Sequence, residues 1–419
     1  MGIDIAGTRE RLRHGPMSYP AFRRIMVARV ISTMGTWMQN VAAGFLVYQM
    51  TGSAMLVGLL GFCALGPNLI GTPVGGALAD RYCPRKLVVW FSSIEVLPPL
   101  VLGIAGLTGH LTLALIFIGV IVEACIHSMV SPIQQLIIPF AVPDELRHAA
   151  VASTSAAYGV GSLIGTAVGG TLVELIGGGA AFTVNAVSNL MVAVVFAASP
   201  VLQRACDLAR ASKGGNIFKG VSRGWRLQIV QTVMVGAVLF AIFIAPIQML
   251  MPKIAADHGD SAMLLGFLLA VMGIGALVAN GRVRRWAHDG ESGSRTLLLG
   301  VVICAVGVML LAISPWLATD LLLLAIVGFG WEVIYVSGSA TVQLDVPEDI
   351  RGRMVGMFFT LATGATAIGA LIMGALFQDL GVAQWLFIAG AAALVCALII
   401  RVRLRRGMRM IPIEGTIDG

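Results

Sequence analysis

The stretch that decides the fold lies at residues 76–86 and reads GALADRYCPRK. It joins two long apolar runs, 53–79 and 86–107, so it is a short connection between hydrophobic segments. Such a turn needs only a few polar residues to stay in water. This one carries four charged side chains: Asp80, Arg81, Arg85 and Lys86. So many charges at one turn indicate a role beyond solubility.

The composition is that of a membrane protein. Of 419 residues, 58% are hydrophobic and 12% are charged, about half the charged fraction of an ordinary soluble domain. A helix needs roughly 20 apolar residues to cross a bilayer, where lipid cannot pair with free backbone groups. Twelve runs meet this requirement: 22–50, 53–79, 86–107, 112–137, 148–173, 180–200, 228–251, 261–281, 295–314, 318–342, 352–377 and 382–402. The sequence therefore predicts an all-α membrane protein with twelve transmembrane helices.

Basic residues orient these predicted spans. If the connections alternate between the two sides of the membrane, 26 of the 28 Lys and Arg residues fall on the side that holds both termini. Lys253 lies on the other side and Arg29 lies within the first span. Cytoplasmic loops carry the excess of Lys and Arg, so we expect both termini in the cytoplasm. The first twenty residues lack the layout of a cleaved signal peptide. The net charge of +7 is explained by orientation and does not require a nucleic-acid partner.

An internal repeat divides the chain into two halves. A shift of 204 residues places Pro143, Arg147 and Gly165 on Pro347, Arg351 and Gly369. A shift of 205 places the motif Leu-Leu-Gly-Phe at 59–62 on the same motif at 264–267. We expect a six-helix half over 1–200, a basic cytoplasmic linker over 201–227 and a second six-helix half with a short tail over 228–419. Parallel repeats of this kind place the substrate site between the halves near the middle of the membrane.

GALADRYCPRK resembles the signature of the major facilitator superfamily, which lies in the cytoplasmic connection between the second and third helices. The match rests on Gly76, Asp80, Arg81, Arg85 and Lys86, whereas Cys83 stands where the superfamily usually has Gly. Further stretches extend the resemblance over the whole chain: GTWMQNVAAGFLVYQMTGSAMLVGLL at 35–60, VGSLIGTAVGG at 160–170 and VPEDIRGR at 346–353. Together they are similar to the branch that includes the bacterial enterobactin exporter and multidrug and macrolide efflux proteins.

The resemblance implies a proton-driven exporter in the bacterial inner membrane, which moves a small amphipathic organic molecule by alternating access. It also implies that Asp80 meets the start of the eleventh helix, near Arg351 and Arg353, when the cytoplasmic side is closed. The predicted conformational gate comprises these three residues together with four others of the GALADRYCPRK stretch: Gly76, Arg81, Arg85 and Lys86.

Ionisable side chains at membrane depth are costly, so each is a functional candidate. Helical spacing gathers them into polar stripes on three helices, because residues three and four apart share a face. The stripes are Arg29, Thr33, Thr36 and Asn40; Glu123, His127, Ser131 and Gln134; and Glu332, Tyr335, Ser339 and Gln343. The superfamily lines its central cavity with helices 1, 4, 7 and 10, three of which carry these stripes. Either the stripes line a cavity or they join neighbouring helices through hydrogen bonds.

Glu123 and His127 lie one turn apart on one helix, so the charge on either side chain affects the other. Such a pair can bind and release a proton near neutral pH. We therefore expect Glu123 to carry the coupling proton, with Glu332 as the rival. Arg29 lies near the cytoplasmic end of its helix, where it either reaches the interface or pairs with an acid. Glu95 lies on the third span, for which we expect a structural role.

Four glycines on the fifth span are expected to pack against neighbouring helices: Gly161, Gly165, Gly169 and Gly170. Spaced small residues allow close backbone approach. They also resemble the superfamily's antiporter signature, with Thr166 in place of its Pro, which favours export over import.

Other classes of function are less well supported by the sequence. The six cysteines show no spacing for a metal site, and we expect them to be packing residues. No phosphate-binding GxxxxGK[ST] motif is present, so ATP drive is not expected. We expect no cofactor, no enzymatic activity and a functional monomer. The alternatives left open are an import symporter of the same fold and a membrane-embedded enzyme that uses Glu123 and His127 as acid and base.

The gate hypothesis predicts the behaviour of Asp80→Asn. A charge-assisted hydrogen bond of about 1.5 to 3 kcal/mol, present in one state only, shifts the two populations roughly tenfold or more. The variant should insert normally, transport much less and expose cavity cysteines to cytoplasmic thiol reagents. Transport at the wild-type rate with unchanged labelling would show that the charges of this connection serve only to orient the chain.

Overall fold

The computed structural model describes residues 15–203, 206–207, 227–259, 261–283, 290–346, 348–377 and 381–408. These residues are helical almost throughout and contain no β-strand. The helices are α1 Pro20–Thr51, α2 Ala54–Arg81, α3 Pro84–Leu107, α4 Leu113–Ile137, α5 Arg147–Ile176, α6 Gly178–Ala197, α7 Gln228–Asp257, α8 Ala262–Val283, α9 Gly290–Leu311, α10 Leu317–Asp345, α11 Glu348–Phe377 and α12 Val382–Met408. Short 3₁₀ turns at Pro16–Ser18, Ile138–Ala141, Asp144–Leu146 and Pro200–Leu202 connect them.

Helices α2, α3 and α7 are interrupted, in each case beside proline. α2 consists of Ala54–Leu65 and Asn68–Arg81, on either side of Gly66 and Pro67. α3 consists of Pro84–Glu95 and Leu97–Leu107, with Pro98 in the first turn of the second piece. α7 has a 3₁₀ segment, Ala245–Leu250, between Gln228–Phe243 and Met251–Asp257. Proline lacks the N–H that would continue the α-helical ladder, which favours these breaks, although Pro73 and Pro132 lie inside continuous helices.

The predicted fold class is confirmed. In the described part of the chain, eleven helices are long and apolar enough to cross a membrane. α1, with 32 residues, is less apolar because it contains Arg29, Gln39 and Asn40. Large apolar side chains also cover the outside, with Ile70 and Leu175 each 74% exposed. Apolar surface on this scale is stable only when lipid covers it.

Contacts group the chain into two compact units. One comprises Met1–Gly215 together with Gln248–Gly273, and the other comprises Asn216–Ile247 together with Ile274–Gly419. The same helix pairs are in contact in each unit: α1 with α5 and α6 in the first, and the Gln228–Phe243 part of α7 with α11 and α12 in the second. Likewise α3 contacts α4 and α6, as α9 contacts α10 and α12. The halves therefore share one packing scheme, while the boundaries proposed at residues 200 and 228 remain a prediction.

The glycines of α5 lie on two different faces of that helix. A Cβ atom on Gly165 would approach the carbonyl oxygen of Met34 to 2.6 Å, and Gly161 and Gly169 are equally close to α1. Gly170 instead faces α8, where its Cβ would approach the carbonyl oxygen of Ala262 to 2.4 Å. In the other unit Gly369, which the repeat aligns with Gly165, would approach the carbonyl oxygen of Ile242 to 2.4 Å. Because these neighbours are backbone atoms, a larger side chain has no room.

This packing predicts that Gly165→Ala destabilises the protein, by about 1 to 3 kcal/mol if the helices must separate. Gly356→Ala on α11 is the matched control, since a Cβ there meets nothing within 4 Å. Thermal unfolding of both purified variants in the same detergent measures the difference. Equal melting temperatures would show that α1 and α5 are less tightly packed than the structure has them.

Candidate functional site

A buried polar cluster joins α1, α4 and α6 in the first unit. Its members are Gln39, Glu123 and Asn185, which are 4%, 6% and 0% exposed. The Gln39 amide nitrogen donates to Oε2 of Glu123. The Asn185 amide nitrogen donates to Oε1 of Glu123 at 2.7 Å and to Oε1 of Gln39 at 2.8 Å. Both carboxyl oxygens of Glu123 are therefore hydrogen-bonded by side chains from two other helices.

Asn185 is held in place by its own helix and by the small residue opposite. The Ser188 hydroxyl donates to the backbone carbonyl of Asn185 at 2.8 Å. Gly35 of α1 lies directly opposite, because a Cβ there would approach the Ser188 hydroxyl to 2.4 Å and Cα of Asn185 to 3.0 Å. The absence of a side chain at Gly35 thus lets α6 approach α1 closely enough for Asn185 to reach Gln39.

A second acid lies beside this cluster and pairs with a histidine. Nδ1 of His127 is 2.7 Å from Oε1 of Glu95. The Glu95 side chain is 5% exposed and the His127 side chain 46% exposed. Glu95 is the last residue of the first piece of α3, so the break in that helix positions it. His127 lies one turn from Glu123 on α4, so this contact places a second acid and an imidazole beside the Glu123 cluster.

The guanidinium of Arg29 is hydrogen-bonded to an amide, and the two roles expected for it remain predictions. Its Nη1 donates to Oε1 of Gln134 at 2.5 Å, which links α1 to α4 by a charge-to-amide hydrogen bond. Within the described residues its Nε has no hydrogen-bond partner. The hydrogen bond of Arg29 therefore joins two helices.

The second unit has its own acid beside an aromatic cluster. Oε1 of Glu332 on α10 accepts a hydrogen bond of 2.8 Å from the Asn280 amide of α8. Tyr335, one turn along, stacks on Trp331 with centroids 6.1 Å apart and on Phe359 at 6.3 Å. Phe240 of α7 meets Trp331 edge-on at 5.3 Å. Phe240 thus packs the apolar middle of α7 against this aromatic cluster.

The predicted gate is only partly within the described residues. Asp80, Arg81 and Lys86 are exposed, and Gly76 borders open space. The Arg85 guanidinium donates to the carbonyls of Phe196 and Ala197 at 3.3 and 2.5 Å, at the end of α6. The side chains of Arg351 and Arg353 lie outside the described part of the chain, so the contact predicted for Asp80 remains a prediction.

One expectation about the cysteines is wrong. Cys83 and Cys206 form a disulfide, with Cα atoms 4.4 Å apart, instead of packing as separate thiols. It joins the connection after α2 to the segment after α6. The two positions are 123 residues apart with no motif linking them, so only the fold brings them together. The remaining four cysteines are free.

The sequence reasoning found some members of the cluster and missed others. Asn40 is exposed, and its neighbour Gln39 makes the contact instead. Both fit the stripe, because they lie three and four residues after Thr36. Asn185 was missed, although Asn185, Ser188 and Asn189 have the same helical spacing as the stripes that were found. Asn280 was missed because it stands alone in an apolar helix.

Asn185→Leu should destabilise the protein because it leaves the buried Glu123 with one donor fewer. The cost of such an unsatisfied group is about 1 to 3 kcal/mol. Asn189→Leu is the matched control one turn along α6. Asn189 is 3% exposed, its amide nitrogen has no hydrogen-bond partner among the described residues, and Ser32 contacts its oxygen at 3.3 Å. Thermal unfolding at neutral pH should show the larger decrease in melting temperature for Asn185→Leu. A larger decrease for Asn189→Leu would contradict this geometry.

The comparisons with known proteins agree with this architecture. The model of the family described as "Transmembrane secretion effector" matches residues 13–413. The multidrug efflux pump Tap of Mycobacterium tuberculosis is 24% identical over 404 residues, covering 92% of this chain and 93% of that protein. The enterobactin exporter EntS of Escherichia coli O157:H7 is 24% identical over 409 residues, covering 96% of this chain and 97% of that protein.

Solved structures of transporters share the fold. The nucleoside transporter NupG matches with a TM-score of 0.67 at 12% identity, covering 92% of this chain and 99% of that chain. A bacterial homologue of the human lysosomal transporter Spinster, inward-facing and occupied, matches with a TM-score of 0.69 at 13% identity, covering 93% and 97%. Because the family model spans nearly the whole chain, this protein belongs to the transmembrane secretion effector family of the major facilitator superfamily and is a multi-pass membrane transporter, not an enzyme.

Proposed function

We propose that this protein exports a small amphipathic organic molecule across the bacterial inner membrane in exchange for protons, as a monomer with both termini in the cytoplasm. Export is supported by the relatives, which are named as an efflux pump and as an exporter. Proton coupling is supported by the buried Glu123 cluster, which is the single observation that carries the proposal. No added cofactor is needed, since the proton gradient supplies the energy.

Glu123 has the surroundings that a proton carrier requires. An ionised carboxylate at membrane depth is stable only if other groups stabilise its charge. Gln39 and Asn185 supply donors to both of its oxygens. Each of these amides also has an acceptor oxygen, so an amide that turns over can accept a hydrogen bond from the protonated acid. The cluster can therefore accommodate Glu123 with or without its proton.

Glu95 and His127 supply the next site for the proton. His127 lies between the two acids: it contacts Glu95, and it is one turn from Glu123 on the same helix. Its side chain is half exposed while both acids are buried. In this proposal the His127 imidazole, which is suited to proton transfer near neutral pH, passes the proton to and from Glu123.

The aromatic cluster beside Glu332 supports an amphipathic substrate. Stacked rings bind flat or apolar groups, and a nearby carboxylate favours a positive charge. Glu332 is the rival carrier, since it too is an acid at membrane depth with an amide partner. It differs from Glu123 in its surroundings: Glu332 receives one amide hydrogen bond, whereas Glu123 receives two and lies one turn from His127 on the same helix.

The test replaces each acid by its amide. A deletion strain is first screened with a cationic dye (ethidium), a macrolide (erythromycin) and enterobactin to find a transported probe. In everted vesicles, Glu123→Gln should lower proton-driven uptake of that probe at least roughly tenfold while counterflow exchange continues, because the amide keeps the shape but cannot titrate. Glu332→Gln is the matched control and should retain coupling.

Two results would contradict the proposal. Wild-type dependence on the pH gradient in Glu123→Gln, together with its loss in Glu332→Gln, would assign the proton to Glu332. Proton-driven uptake in right-side-out vesicles would show an import symporter instead of an exporter.

A further inference from the structure

A carboxylate of α5 covers the start of α8. Oε2 of Glu174, in the last turn of α5, accepts hydrogen bonds from the backbone N–H of Ala262 at 2.8 Å and of Met263 at 3.4 Å. It also accepts from the Ser261 hydroxyl at 3.1 Å. One oxygen thus meets three donors, all of them from the first residues of α8 and the residue before it. The first residues of a helix have free N–H groups and a partial positive charge, which an anion stabilises.

Glu174 adds to a cap that α8 already has. The Ser261 hydroxyl oxygen accepts from the N–H of Leu264 at 3.3 Å, which is the usual arrangement for a serine before a helix. That cap leaves the N–H groups of Ala262 and Met263 without a partner from their own helix. Glu174, 87 residues away in sequence from Ser261, supplies it. The contact therefore joins two helices as well as completing one.

Below Glu174 the two helices touch backbone to backbone. A Cβ on Gly170 would come within 2.9 Å of Cα of Gly266, and one on Gly266 would come within 2.5 Å of the carbonyl oxygen of Thr166. Thr166, Gly170 and Glu174 are spaced by four residues, so they form one face of α5. Thr166 is only 3% exposed. Glu174 is at the open end of this close contact.

This contact joins parts of the two sequence repeats. Residues 264–267 repeat 59–62 and so belong to the second half of the sequence. The stretch Gln248–Gly273 nevertheless forms a compact unit with the first half. By the predicted topology, the end of α5 and the start of α8 lie on the outer side of the membrane. The halves of the repeat are thus in contact at the end from which an exporter releases its substrate.

We propose that Glu174 is an outer latch: its charge holds the end of α5 to the start of α8 while the outer side is closed, and the contact breaks when that side opens. The proposal rests on the alternating access of the proposed function. A contact made in one state only shifts the equilibrium toward that state by its own free energy. The Glu174 side chain is exposed, so solvent screens its charge. We therefore expect its stabilising effect to lie at the low end of the range for a charge at a helix terminus.

The test measures how often the contact opens, and it needs neither substrate nor proton gradient. Thr166→Cys, in a protein whose six native cysteines are replaced, is labelled in intact cells with a membrane-impermeant maleimide. The Thr166 hydroxyl donates to carbonyls of its own helix, those of Ser162 and Leu163, so the replacement leaves the latch intact. Glu174→Gln should raise the labelling rate roughly twofold, because the amide keeps the size but not the charge.

Two further variants separate a latch from a simple cap and from surface charge. Ser261→Asp added to Glu174→Gln returns a negative charge to the start of α8 from its own chain, without a link to α5, so labelling should stay fast. Asp257→Asn removes one charge on the same side, where Asp257 pairs with Lys253, and should leave labelling slow.

Three results would overturn the proposal. Unchanged labelling in Glu174→Gln would show that the charge does not hold the contact. Slow labelling restored by Ser261→Asp would show that Glu174 only caps α8. Faster labelling in Asp257→Asn would show a general effect of surface charge. Each would leave proton-coupled export standing, because the labelling assay does not involve transport.

Discussion

The structure depends on the pairing of the Glu123 carboxyl group with two amides inside a membrane protein. Lipid offers no hydrogen bonds, so every polar group at this depth must find its partner within the protein. Gln39 and Asn185 come from α1 and α6, and both reach Glu123 on α4. That geometry fixes the distance between three helices. Small residues serve it, as at Gly35, where any side chain would push α6 away from α1.

The same constraint divides polar residues between packing and chemistry. Asn185 and Gln39 join helices and at the same time stabilise an acid, so residues that hold helices together can also support the chemistry of a neighbour. Glu332 shows a simpler version, with one amide partner from one neighbouring helix. The pair of acids with His127 is what distinguishes the first unit. The second unit has an aromatic cluster instead. This difference fits the proposal that one half carries the proton and the other contributes the aromatic surface.

The fold could be predicted from the sequence because each of its determinants is local or repeated. Apolar length predicts the spans, and the repeat aligns Gly165 with Gly369, which make matching contacts in the structure. The site was predicted less fully. Helical periodicity predicts which face of a helix is polar, but it leaves the choice between Gln39 and Asn40 open. The two side chains are only about 100° apart around the helix axis, and both fit the same stripe. Partners from distant helices, such as Asn280 for Glu332 and Cys206 for Cys83, follow only from the packing.

The central claim is that Glu123 binds and releases a proton inside the membrane. Infrared difference spectroscopy of the purified protein in lipid, with ¹³C-labelled glutamate, tests it directly because the carboxyl C=O band appears only when an acid is protonated. As the pH is lowered through neutrality, a glutamate band should appear in the wild-type protein and in Glu332→Gln. The same band should be absent in Glu123→Gln. An identical titrating band in Glu123→Gln would contradict the account.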